Sequence, residues 1–182
     1  MNTNKEIIQK EEKWLLNNAS DISKEIVSNA VYEIKNIAKE DINPEEIIFL
    51  SKELVFACIY LIEDTSKLFT PCQRSAVINQ FKRALGLSFF EFFFHKTEED
   101  SKEFEYFFSI FEDEYHHFKR ELGANSLENL SSKELIYYLA NGLLELDFFS
   151  DISPDKREKF KEQLVEFLKK KGLSKISIAL FS

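Results

Sequence analysis

Glycine and proline are scarce in this chain, 4 and 3 among 182 residues. So little turn-forming capacity argues against all-β architectures and against a glycine-rich phosphate loop. Cysteine is nearly missing as well. Cys58 and Cys72 cannot make a disulfide framework, so a reducing compartment is expected. No Gly-x-Ser-x-Gly, Cys-x-x-Cys or Walker-type pattern occurs, which removes the commonest nucleophile and nucleotide signatures. Long apolar runs are missing too. The uncharged stretches 54–62 and 135–144 fall far short of the roughly 20 residues of a spanning helix. The first residues lead into Glu11 and Glu12 without an apolar signal core. The expectation is a cytoplasmic protein with no membrane partner.

Positive charge is in deficit. Lys and Arg number 24 against 32 Asp and Glu, a net −8 that disfavours nucleic acid as a partner. The deficit is uneven along the chain. Between Glu98 and Glu114 eight acids face Lys102 alone, whereas between Lys156 and Lys175 eight bases face three acids. The two segments suggest solvated faces, mutual attraction within the fold, or a means of orienting a partner.

What is plentiful is apolar surface, 44% of residues, including 19 Phe. That is enough to offset the ordering entropy of a folded domain. Helical periodicity recurs along the whole length. Ile22, Ile26, Val27, Ala30, Ile34 and Ile37 share a face, after a shorter segment carrying Ile7, Ile8, Trp14 and Leu15. Asn43-Pro44-Glu45-Glu46, Thr70-Pro71 and Ser153-Pro154 are N-cap and first-turn signals. Thr97–Asp100 and Ser131–Glu134 read as capping boxes. The stripe Phe104, Phe107, Phe108, Phe111, Tyr115, Phe118 and Leu122 is stopped by Gly123, and the last long helix by Gly172. The reading is all-α: one domain over 1–182, a bundle of about seven helices. Residues 1–40 form an N-terminal helical arm or hairpin. The tail 174–182 alternates like a strand but has nothing to pair with, so a short helix or packed tail is favoured.

Projection at about 100° per residue separates two kinds of helix. Those after Glu98 and Pro154 have one apolar stripe and a charged back, so they belong outside. Three others carry a second ridge: Phe49, Phe56 and Tyr60; Leu87, Phe90 and Phe94; and Tyr137, Leu144 and Phe148. A helix apolar on both sides must be covered on both sides. Either these helices lie at the centre of the bundle, or a ridge is closed by a partner, a second copy or an apolar ligand.

Metal chemistry has one candidate set. Glu114 and His117 are spaced Glu-x-x-His, and Glu91 and His95 lie one turn apart. Inward-facing pairs of that kind hold metals in helical bundles, but the histidines fall off the core stripe, so these four rank as a fallback surface site. No cofactor is expected. The leading function is non-enzymatic protein–protein contact or self-association, of an inhibitor, immunity or regulatory type. Leu87, Phe90, Phe94, Phe49, Phe56 and Tyr60 are its candidate contact residues. The alternative is an apolar small molecule held between Phe-rich helices, and a metal-binding bundle comes third.

Overall fold

A computed structural model describes residues 2–38, 42–95, 101–123 and 130–181, with side chains described from residue 18 onward except 178, 179 and 181. Among them seven α-helices occur and no strand. They are α1 (Asn2–Ala38), α2 (Pro44–Thr65), α3 (Pro71–Phe94), α4 (Lys102–Leu122), α5 (Ser132–Leu144), α6 (Pro154–Phe167) and α7 (Ser174–Phe181). α6 runs into α7 through a π-helical turn, Leu168–Leu173, so the bundle is built of six rods. No helix among the described residues is long and apolar enough to cross a membrane.

The cap signals act largely as the sequence predicts. Asn43 Oδ1 accepts the Glu46 N–H at 2.8 Å, and Pro44 opens α2 where a missing donor costs nothing. Thr70 and Gln73 form a reciprocal capping box at α3. Ser131 Oγ caps α5 through the Glu134 N–H at 3.2 Å. Gly123 ends α4 with a φ of 66°, a left-handed turn that glycine enters without strain.

Several boundaries differ. α1 is one unbroken helix, where two segments were expected. The expected capping box at Thr97–Asp100 falls outside the described residues apart from its neighbour Ser101, which is the N-cap of α4, its Oγ accepting the Phe104 N–H at 3.1 Å. α5 stops at Leu144 rather than near Phe149. A 3₁₀ turn over Asp147–Phe149 then points Phe149 into the core against Phe160. Gly172 does not stop its helix. A Cβ there would sit 3.4 Å from Cys58 Sγ, so its smallness serves the close approach of the π turn to α2. The tail forms α7, with Ile176 fully buried.

α2 is the axis. Leu54, Val55, Phe56, Ala57, Cys58 and Ile59 are all fully buried, so every side of the helix is covered over that stretch. It contacts α1, α3, α4, α5, the π turn and α7. Burial pushes the Cys58 thiol up to about 12, which leaves it an inert packing group. α4 is an outer helix, its single stripe laid over α2 and α3. Phe56 meets Phe111, Tyr115 and Phe118 with ring centroids 5.1–5.8 Å apart. Glu63 locks the same seam by accepting the Tyr115 hydroxyl at 2.8 Å and the Lys119 ammonium at 2.9 Å. Burial, and then the Glu63 charge, raise the Tyr115 phenol far above its usual range, so it stays a donor.

Candidate functional site

The second ridge of α2 sets the site. Its buried end, Phe56, is spent on α4, but Phe49 lies a turn and more beyond that cover and remains 50% exposed. There α2, the last turns of α4, and α5 with its following turn enclose a half-open cleft of about 740 Å³. Phe118, Leu122 and Leu143 form its buried floor, with Leu146 beside them and Phe49 at the lip. Two local features bring the walls together. The Tyr138 hydroxyl donates to the Leu122 carbonyl at 2.8 Å, tying α5 to the end of α4. Gly142 lets α5 approach so closely that a Cβ would stand 3.3 Å from Leu122 Cδ2.

Around this apolar floor stand polar groups of one sign. Glu53, Glu121, Glu145, His117 and Asn141 line the cleft, and none of its described lining residues is Lys or Arg. Glu53 is pushed up to about 7, first by burial and then by the Glu114 charge, with Lys52 opposing. Lys52 does not cancel it because its ammonium is held by Glu114 at 2.9 Å. Glu121 approaches His117 at 3.6 Å, and Glu145 meets Arg157 at 3.4 Å on the outer rim. Both are exposed contacts of the kind that contributes little and exchanges readily. The C-terminal ends of α4 and α5 also come to this cleft. The negative ends of the two helix dipoles add partial negative charge there.

The sequence-derived candidates scatter. Phe49 and His117 line the cleft. Phe56 is buried beneath α4, and Phe90 is buried between α3 and α4 against Phe104 and Phe107, so neither can meet a partner directly. Tyr60 and Leu87 are partly buried against the core. Phe94 remains 48% exposed at the end of α3. The four metal candidates do not assemble. α3 and α4 run antiparallel, with Phe90 facing Phe104 at one end and Lys82 facing Glu112 further along. Glu91 and His95 therefore lie near the start of α4, about 15 Å of helical rise from Glu114 and His117. His95 caps α3 in a left-handed conformation, and Glu114 is engaged by Lys52. Among the described residues no three His, Cys, Asp or Glu side chains come close enough to hold a metal ion.

Glu53 is the group that sequence reasoning missed. Its signal was present: it stands between Phe49 and Phe56 on α2, one turn from each, a lone carboxylate inside an apolar ridge. Comparison with protein-family models, with curated proteins and with solved structures finds no match to this chain.

Proposed function

We propose that this protein acts without catalysis, by contact with another protein, and that the cleft between α2, α4 and α5 is the contact site. The observation that carries the proposal is the half-exposed Phe49 at the lip of an apolar hollow with a polar rim. Binding energy concentrates where an aromatic or aliphatic anchor fills such a hollow and the rim excludes water. An inhibitor, immunity or regulatory role is the class that the chain's size and net −8 suggest.

A small apolar molecule is the second reading. The volume of the cleft lies within the roughly 300–1,000 Å³ typical of ligand sites. A smaller hollow of about 380 Å³, between the end of α1 and α6, offers Ile37, Ile152 and Phe160 as apolar lining. The one-signed rim of the larger cleft favours the protein-contact reading, since a neutral apolar molecule has no use for it.

The test is site-specific photocrosslinking in the cells that make the protein. A benzophenone side chain at Phe49 is expected to capture one discrete protein. The same group at Leu68, which is 80% exposed on the turn after α2, is expected to capture none. Equal capture at both positions, or none at Phe49, would overturn the proposal.

A further inference from the structure

The cleft's charge arrangement says what kind of segment it takes. An apolar floor alone would accept any aliphatic or aromatic group. This floor is ringed by Glu53, Glu121 and Glu145, and both α4 and α5 end there with their carbonyls. Arg157 reaches one of these carboxylates, Glu145, at 3.4 Å on the outer rim, and two other nearby cations are committed elsewhere. Lys52 is held by Glu114 and Lys119 by Glu63, both at 2.9 Å. Glu53 is half-buried and repelled by Glu114, and Lys52 balances it only in part. An arriving cation would offset that cost, while an arriving anion would add to it. Three aromatic rings, Phe49, Phe118 and Tyr138, line the same space and suit a cation riding on an apolar stem.

Resting on the reading of this cleft as a contact site, we propose that its occupant is a basic, apolar segment of a partner protein. A Lys or Arg of that segment sets its charge against Glu53 and Glu121, and the neighbouring apolar side chains pack on Phe49, Phe118 and Leu122. Charge complementarity selects this occupant over an acidic or purely apolar one.

The experiment uses three labelled peptides that share one amphipathic leucine pattern and differ only in the polar residue, which is lysine, glutamine or glutamate. Binding is followed by fluorescence anisotropy to the full chain, to a Glu53→Gln/Glu121→Gln/Glu145→Gln variant, and to a charge-matched Asp151→Asn/Glu158→Gln/Glu162→Gln control on the α6 side. Circular dichroism checks that each variant is folded. The lysine peptide is expected to bind at least about tenfold more tightly than the glutamine peptide, with the preference lost in the cleft variant and kept in the control. If the glutamine peptide binds equally well, and Phe49→Ser weakens both alike, the cleft is a contact site without charge selection and the inference falls alone. If neither Phe49→Ser nor the cleft variant changes binding of any peptide, both the inference and the underlying reading fall. Equal loss of lysine-peptide binding in the control would reduce the effect to net charge, and that too overturns the inference.

Discussion

Phe90 and Phe94 lie one turn apart on α3 and meet opposite fates. Phe90 is 4% exposed, ringed by Phe94, Phe104 and Phe107, whereas Phe94 keeps half its surface in water. Phe90→Asp would place an unpaired carboxylate in a dry aromatic cluster. Its expected cost is about 4 kcal/mol or more, a large part of the stability of a domain. Phe94→Asp is expected to cost about 1 kcal/mol or less. Thermal melts of the two variants check the contrast, and equal losses would contradict the packing described. Glu53 supports a second expectation. Its folded pKa, about 7, lies above the ordinary 4.5, so the folded state holds its proton more tightly than the unfolded chain does. Stability from this group is therefore complete below about pH 4.5 and falls as pH rises through about 7. Glu53→Gln removes that slope and is expected to stabilise the protein at pH 8 by about 1–2 kcal/mol, with little effect at pH 4. Denaturant melts at the two pH values measure it.

At the scale of elements, glycine sets how closely helices pass. Phe108 of α4 seats against Gly86 of α3, where a Cβ would stand 2.8 Å from the Phe108 ring and 3.4 Å from that of Phe111. Gly86→Ala would gain about 1 kcal/mol of helix propensity. It would lose about 1–3 kcal/mol to overpacking against a buried ring that cannot swing away. A net loss is expected in chemical denaturation. Gly142→Ala meets only a terminal methyl of Leu122 at 3.3 Å, which can shift by a few tenths of an ångström toward the open cleft, so its propensity gain should survive. Helix type, the starts of α2, α3, α5 and α6, and the stop at Gly123 were legible because each rests on neighbours in sequence. The continuity of α1, the early end of α5 and the passage through Gly172 were not. Those depend on what lies across the packing: Phe149 turning toward Phe160, and Gly172 nearing Cys58 from more than a hundred residues away. The cleft was legible only through Phe49 and His117. Its other walls, at Leu122 and Tyr138, come together by a tertiary contact that no local spacing records.

At the scale of the whole molecule, the charges of each segment pair with whichever helix lies against them. The acidic face of α4 is met by Lys52, Lys82 and Arg83 on α2 and α3, through Glu114, Glu112 and Glu105. The basic end answers to other groups, with Arg157 on Glu145, Lys170 on Glu166 and Lys175 on Glu25. Among the described residues the acidic and basic segments are thus each neutralised in part by other neighbours. The cleft joins carboxylates to an apolar floor, which the acidic hollow along Glu105, Glu112 and Asp113 of α4 does not offer, and that is why the cleft carries the functional proposal.

The pair between Lys175 and Glu25 joins α7 to α1 across 150 positions of chain. At synthesis rates of roughly 5–20 residues per second, α1 waits on the order of ten seconds for that neighbour to emerge. During that interval α1, α2 and α3 can already pack on one another, but the side of α2 that receives Ile176 and Gly172 stays open. The join through the π turn therefore acts as a late clasp. Until α7 emerges, that side of α2 is an exposed apolar seam, and it closes when Gly172 and Ile176 arrive.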